Sequence, residues 1–279
     1  MRIISADERL AEPRGVKMLI VGPTGVGKTS LLRTLDPART LFLDVEAGDL
    51  SVQDVPVDTI QLDDWPTARD IACRIGGPNP SFPPTACYSQ AHHEAVGGSL
   101  ENLERYDSIF IDIITAVSRL SFRHAEQQPE AFSERSGKKD VRGAYGLHGR
   151  ELICWLQQLQ HARSKNVIFV GVLEKVVDEF NVATWQLQME GQRTSRELPG
   201  IVDQIITMQW VDFGDGVPIR AFVCTSPNPW NYPAKDRAGR LDQIEEPHLD
   251  KLIEKLTRPG ERKLFVVSTE LTLKKAAAE

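Results

Sequence analysis

The most constraining feature of the sequence is a short apolar run that ends in a glycine-rich loop. The run reads VKMLIVG at residues 16–22, and GPTGVGKTS follows with the spacing G-x-x-x-x-G-K-[ST]. In such a loop between a strand and a helix, backbone N–H groups turn inward around phosphates and the helix dipole adds positive potential. The alternative is a glycine-rich turn without a ligand, which this context does not favour.

The residue types in the loop predict a nucleoside triphosphate and a magnesium ion as its ligands. Lys28 reaches the β- and γ-phosphates, and the hydroxyl of Thr29 binds Mg²⁺. ATP and Mg²⁺ are therefore the expected cofactors. The residues predicted to bind the phosphates are Gly22, Pro23, Thr24, Gly25, Val26, Gly27, Lys28, Thr29 and Ser30.

Two carboxylates follow other apolar runs and are candidates for the same site. Asp112 ends the run SIFID, where the carboxyl end of a strand would face the phosphates, and we assign it to the Mg²⁺ shell. Glu46 follows FLDV two residues after Asp44, so both would point the same way in an extended strand, and Glu46 is the candidate base for the attacking water. The alternatives are a chance acid that ends a strand and an exposed loop acid without a role.

Strand-like and helix-like segments alternate along the chain. Apolar runs at 40–46, 58–62, 107–115 and 166–173 predict strands, while helices are expected from Lys28, over Trp65–Ile75 and over Leu147–Arg163. Strands separated by helices predict an α/β fold, with a mainly parallel sheet sandwiched between helices. QIITMQWV and IRAFVCTS around DFGDGVP predict a later β-hairpin, and residues 247–256 a closing helix.

Composition narrows the cellular setting and the partners. With 33 Lys and Arg against 39 Asp and Glu, the formal net charge is −6, so any nucleic-acid contact must come from a local patch. No apolar stretch reaches the length of a membrane span, which predicts a cytoplasmic protein without membrane contact. The four cysteines, Cys73, Cys87, Cys154 and Cys224, suit a reducing compartment.

Residues 76–104 and 121–146 are rich in Gly, Pro, Ser and charge, and each is long for a connection in a compact domain. Cys73, Cys87, His92 and His93 suggest zinc in the first insertion, but their spacing matches no zinc finger. His148 and His161 are expected to be exposed residues of a helix.

The order of these motifs resembles that of the RecA-like ATPases, and within them the phage and prophage ATP-binding proteins of the AAA_24 group, which include single-strand annealing recombinases. The similarity covers about residues 16–257 and implies a RecA-like ATPase domain at 1–257, followed by an extension at 258–279. It implies that Glu46 is the catalytic carboxylate, and that Lys235 and Arg237 in AKDRAG reach the γ-phosphate of a neighbouring subunit in a ring or filament. The alternative for AKDRAG is a solvated basic turn.

Two positions depart from the family pattern. RecA relatives place a polar sensor, often Gln or His, at the end of the strand after the long helix, and VGVLEK offers only Glu174 and Lys175 there. The residue after the metal-binding Asp is often Ser in these proteins and is Ile113 here.

The resemblance also implies that two segments, 119–146 and 174–199, hold single-stranded DNA. The first has six Lys and Arg against four Asp and Glu, together with Phe122, Phe132 and Tyr145, which suits a single-stranded ligand. The second has three cations against five acids and is the weaker candidate. A mixed-charge solvated loop is the alternative for both.

The favoured function is therefore a phage-type ATPase that hydrolyses ATP slowly and acts on single-stranded DNA in recombination or annealing. A P-loop ATPase that serves as a switch or motor on a protein partner, without nucleic acid, is the alternative. A small-molecule kinase would need lid and acceptor-site signals that this sequence lacks.

Overall fold

The computed structural model describes residues 3–46, 48–177, 179–214 and 216–258. Apart from Arg258, the extension expected at 258–279 lies outside them. The described residues contain one sheet with the strands β1 (Lys17–Gly22), β2 (Thr40–Asp44), β3 (Asp58–Gln61), β4 (Ser108–Asp112), β5 (Asn166–Val177), β6 (Ala183–Leu187), β7 (Gln204–Val211), β8 (Ile219–Val223), β9 (Lys235–Asp236) and β10 (Ile244–Glu245).

The helices frame this sheet. They are α1 (Ala6–Ala11), α2 (Trp65–Gly76), α3 (Gln90–Ala95), α4 (Ile114–Ala125), α5 (Val141–Gln160), α6 (Gln192–Ile201) and α7 (Leu249–Thr257). No described helix combines the length and the apolarity needed to cross a bilayer.

The strand order is β10-β8-β7-β1-β5-β4-β2-β3, with β6 paired to β5 and β9 paired to β7. The strands from β7 to β3 are parallel to one another, whereas β8 runs antiparallel to β7. The α/β fold predicted from the sequence, with its mainly parallel sheet and later hairpin, is confirmed. Strand β5 lies between the strand before the glycine-rich loop and the strand that ends in Asp112.

Successive residues of the central strands enter two different cores because side chains alternate across a sheet. Leu19 and Phe169 pack on one face with Trp155 of α5, while Met18 and Ile168 pack on the other. Helices therefore cover both faces, which explains why these strands read as continuous apolar runs.

Some element boundaries differ from the sequence prediction. The helix expected from Lys28 is a short 3-10 helix at Thr29–Thr34, which Pro37 follows closely. The strand expected at 107–115 ends at Asp112, and α4 begins at Ile114. Because α4 is also apolar, the sequence shows no break between them.

His148 is fully buried, in contrast to the prediction, whereas His161 is exposed as expected. The Nε2 atom of His148 lies 2.9 Å from the backbone oxygen of Glu190, which can only accept, so Nε2 donates. The Nδ1 atom of His148 lies 3.0 Å from Ser121 Oγ and accepts from that hydroxyl. The ring therefore joins α4, α5 and the segment before α6 as a neutral imidazole. Burial lowers the pKa of His148.

We expect His148→Gln to destabilise the fold by about 1 to 3 kcal/mol at pH 7.5, the typical cost of leaving buried groups unpaired. A histidine with a lowered folded pKa contributes stability that is complete above its unfolded pKa of about 6.5 and is lost as pH falls. The difference in the free energy of unfolding between variant and wild type, measured by urea unfolding, should therefore be smaller at pH 5.5 than at pH 7.5. His161→Gln is the control, and an equal difference at both pH values would contradict this role.

Candidate nucleotide site

The carboxyl ends of the parallel strands bring the predicted phosphate-binding and metal-binding residues to one edge of the sheet. Gly22 ends β1, Asp44 ends β2 and Asp112 ends β4. Asp44 and Asp112 are register partners on neighbouring strands, and Gly22 pairs with Val172 of the intervening β5. The topology therefore places one strand, β5, between the glycine-rich loop and Asp112, and a second strand, β4, between the loop and Asp44.

The glycine-rich loop depends on backbone conformations that favour glycine. Gly25 has φ 79° and Gly27 has φ 97°, both in the left-handed region. The Lys28 ammonium is buried and donates to the backbone oxygens of Gly22 at 3.1 Å and Pro23 at 2.9 Å. Lys28 is thus held across the mouth of the loop, where a phosphate could replace these carbonyls.

The loop opens into a cavity of about 530 Å³. Its lining includes both predicted residues and residues that the sequence did not single out for this site. They are Thr24, Gly25, Gly27, Lys28, Thr29, Ser30, Glu46, Ser51, Asp112, Ile113, Thr115, Arg119, Val172, Gln188 and Arg220.

Thr29 and Asp112, the two predicted Mg²⁺ ligands, lie side by side in this cavity. Burial raises the pKa of Asp112, and the neighbouring Thr29 hydroxyl and Lys28 oppose that rise. Burial also lowers the pKa of Lys28, against the attraction of Asp112 and Glu46. A hydroxyl and a carboxylate beside a phosphate loop form the oxygen-only set that Mg²⁺ prefers, so these residues fit the ion.

Glu46 reaches the cavity by a route that differs from the one expected. Strand β2 ends at Asp44, which is buried, whereas Glu46 is exposed in the turn beyond it, so the two do not share one strand face. The Glu46 backbone N–H donates to Asp44 Oδ1 at 3.2 Å, which anchors the turn. Arg119 Nη1 lies 4.0 Å from Glu46 Oε1. Arg119 was assigned to the DNA segment, but α4 directs it into this cavity.

Gln188 is a further polar residue in the cavity, and the sequence analysis missed it. Strand β5 continues to Val177 and pairs with β6, so the chain returns to the sheet edge at Gln188, whose N–H donates to the Val172 oxygen at 2.9 Å. Glu174, by contrast, lines a different cavity. Gln188, the residue after β6, therefore brings a polar residue to the cavity where VGVLEK does not.

Lys235 and Arg237 lie at the opposite edge of the sheet. Strand β9 pairs with the beginning of β7, and that part of β7 pairs with the beginning of β1. Lys235 Nζ donates to the Pro199 and Val202 oxygens, and Arg237 forms an ion pair with Asp203 at 2.8 Å. Neither side chain lies at the glycine-rich loop of its own chain.

Residues 119–146 are more ordered than a loop. Their ends belong to α4 and α5, and an exposed turn at 133–138 lies between them, closed by the Ser133 N–H donating to the Lys138 oxygen. Phe122 stacks on Tyr145 with ring centroids 4.4 Å apart, while Phe132 is 38% exposed. Residues 174–199 likewise form the end of β5, strand β6 and most of α6.

The histidines and cysteines of the first insertion have other partners. His92 accepts from the Tyr88 N–H through Nδ1 and lies 3.0 Å from Asp70 through Nε2, while Cys73 is buried in the core. Within the described part of the chain, no group of three or more His, Cys, Asp or Glu is arranged to hold a metal ion.

A glycine-rich phosphate loop, a buried lysine and acids at the carboxyl ends of nearby parallel strands define the fold of a P-loop ATPase. Residues 14–238 match the AAA_24 family model, which is described as an AAA domain, and the chain belongs to that family. The curated proteins include no sequence that matches it.

Three solved structures overlap this fold loosely. The RadB recombinase is 14% identical, with a TM-score of 0.36, 76% of this chain covered and 80% of that chain. The flagellar accessory protein FlaH from Methanocaldococcus jannaschii is 11% identical, with a TM-score of 0.32, and the match covers 82% of this chain and 87% of that chain. An ATPase of the type III secretion system of pathogenic bacteria is 14% identical, with a TM-score of 0.37, and the match covers 70% of this chain and 51% of that chain.

Proposed function

We propose that this protein binds and hydrolyses ATP with Mg²⁺ and acts on single-stranded DNA in phage-type recombination or annealing. The observation that carries the ATPase activity is the cavity that joins Lys28, Thr29, Asp112 and Glu46. The domain proposed for it spans residues 1–257, and the protein acts as a ring or filament of identical subunits.

In the proposed reaction, Lys28 exchanges the Gly22 and Pro23 carbonyls for phosphate oxygens, which are stronger partners for an ammonium group. Thr29 and Asp112 would hold Mg²⁺, which when bound would supply positive charge beside the phosphates. Glu46 orients a water molecule and accepts its proton, because its carboxylate is exposed inside the cavity. Gln188 contacts the terminal phosphate through its amide.

The exposed turn between α4 and α5 supports the DNA part of the proposal. Arg135, Lys138, Lys139 and Arg142 are all exposed. None of their side chains forms a hydrogen bond or ion pair with another described residue. Exposed cations beside aromatic side chains suit a single-stranded backbone. Helix α4, which follows Asp112 directly, connects this surface to the nucleotide cavity.

The DNA contact predicts a distinct salt dependence. Each phosphate contact releases counterions, so neutralising Arg135, Lys138, Lys139 and Arg142 to Gln should flatten the log-log salt slope of affinity by about 3, at roughly 0.7 per contact. Phe132→Ala or Tyr145→Ala should weaken binding by about 1 to 3 kcal/mol with little change in slope. Fluorescence anisotropy with labelled single-stranded DNA and Mg-ATP measures both effects.

Arg150→Gln, an exposed charge on α5 outside this surface, is the control for that titration. Absence of wild-type binding at low salt and micromolar protein would contradict the DNA proposal while leaving ATP binding in place.

A second candidate is an ATPase that acts on a protein partner. The hairpin of β7 and β8 exposes a set of large apolar side chains, as protein interaction surfaces often do: Trp210, Phe213, Val217 and Ile219, each at least 52% exposed. Comparing the ATPase rate with and without single-stranded DNA distinguishes the two candidates, because only the first predicts stimulation by DNA.

A further inference from the structure

Arg220 of β8 brings a cation to the glycine-rich loop from within the same chain. A Cβ atom placed on Gly27 would lie 2.8 Å from Arg220 Nη1, so the guanidinium group rests directly against the loop. Arg220 also lines the cavity that contains Lys28 and Asp112. No sequence motif marks this residue, because its position depends on the pairing of β8 with β7 and of β7 with β1.

Trp210 holds this guanidinium group in place. Trp210 and Arg220 are register partners on β7 and β8, and the Arg220 guanidinium carbon lies 4.9 Å from the centroid of the Trp210 ring. A cation stacked on an indole in this way is attracted by the ring and loses rotamer freedom before any ligand arrives. Arg220 is thus oriented while both residues remain exposed to solvent.

The charges around the cavity indicate what Arg220 is available to bind. Lys28 donates to two carbonyls and Arg119 lies beside Glu46, so both of these cations already have oxygen partners. Arg220 forms neither a hydrogen bond nor an ion pair with any described residue. Its planar fork of N–H donors can bind two phosphate oxygens at once.

We propose that Arg220, oriented by Trp210, is a phosphate-binding residue of the nucleotide site and acts in its own subunit. The proposal rests on the ATP binding proposed above and adds a contact to it. Its position against Gly27 favours the phosphate chain over the base, because that loop encloses the phosphates. Trp210 is a positioning residue that acts through Arg220.

The test separates the phosphates from the base with two partial ligands. Competition against a fluorescent ATP analogue measures the affinities of Mg-ATP, inorganic tripolyphosphate with Mg²⁺, and adenosine. Arg220→Ala should weaken ATP and tripolyphosphate by a similar factor of about 10 to 100, the range for a hydrogen bond to a charged group. Adenosine affinity should not change, and Arg220→Lys should recover only part of the loss.

Trp210→Ala should weaken the binding of Mg-ATP and of tripolyphosphate by about 3- to 10-fold and leave adenosine affinity unchanged, because the guanidinium group loses its stacking partner. Trp210→Phe should retain most of the affinity, since a phenyl ring still supports a cation. Arg150→Ala is the control for removing an exposed arginine, and thermal unfolding confirms that each variant folds.

The outcomes distinguish this inference from the function on which it rests. If wild type binds ATP and Lys28→Ala does not, while Arg220→Ala binds ATP and tripolyphosphate like wild type, the Arg220 assignment is wrong and the ATP site stands. A loss confined to adenosine and ATP would assign Arg220 to the base and overturn the phosphate contact. Failure of wild type to bind ATP would overturn both proposals.

Discussion

Glu46→Gln is expected to bind Mg-ATP as wild type does and to hydrolyse it about 10² to 10⁴ times more slowly, the usual size of a general-base contribution. The amide keeps the size and polarity of the side chain but cannot accept a proton from water. Glu46 lies in the turn beyond β2 and is exposed, so the fold should be unaffected. Steady-state phosphate release and an ATP titration measure the two properties separately.

Lys28→Ala should lose ATPase activity for a different reason from Glu46→Gln. Its ammonium group is buried at the mouth of the loop, so its removal should weaken ATP binding rather than only the chemical step. Glu101→Gln, an exposed acid remote from the cavity in sequence, is the matched control for Glu46→Gln. Normal hydrolysis by Glu46→Gln would show that another group activates the water.

Local sequence was sufficient to predict the fold and the phosphate loop. The apolar runs that became β1, β4 and β5 are buried on both faces, so their signal is continuous, and the spacing from Gly22 to Thr29 is local. Asp112 lies at the carboxyl end of a strand, as expected, because it ends a buried apolar run, while its place in the Mg²⁺ shell stays a prediction. Such features depend on neighbours in sequence, which is why they can be predicted without tertiary information.

The residues that sequence analysis missed reach the site through tertiary pairing. The position of Arg220 depends on the pairing of β8 with β7 and of β7 with β1. The position of Gln188 depends on the pairing of β6 with β5. The end of β5 and all of β6 are largely exposed, so they lack the apolar pattern of a core strand and read as a charged loop. Arg119 was assigned by charge counting, but the start of α4 at Ile114 decides its direction.

The position of His148 illustrates the same limit. Histidine is a common surface residue on helices, and the sequence around it contains charges, which favoured exposure. Its burial follows from Ser121 and Glu190, 27 residues before it and 42 residues after it in the chain. Partners at that distance leave no periodic signal.

We propose that Lys235 and Arg237 act on the nucleotide of a neighbouring subunit. Because β9 lies at the amino edge of the sheet, these residues cannot serve the glycine-rich loop of their own chain. In a head-to-tail ring or filament, the opposite edges of successive subunits can meet. Asp203 holds Arg237 at 2.8 Å and would keep its guanidinium group oriented towards such a neighbour.

Arg237→Ala should lower turnover by about 10³ to 10⁵, the range for a guanidinium group supplied across an interface. Lys235→Ala should lower it as well. Arg14→Ala is the matched control, since Arg14 is exposed and lines the same cavity at this edge as Arg237. Loss of activity in the control would indicate a general effect of charge at this edge.

Mixing variants tests whether the site is shared. Neither Arg237→Ala nor Glu46→Gln should be active alone, but each supplies what the other lacks. In a randomly mixed head-to-tail assembly at equal ratio, about a quarter of the interfaces join an intact Glu46 to an intact Arg237, so about a quarter of wild-type activity should return. If mixing is demonstrated by energy transfer between labelled subunits and no ratio restores activity, the shared-site model is wrong, because every mixed assembly would contain complete sites.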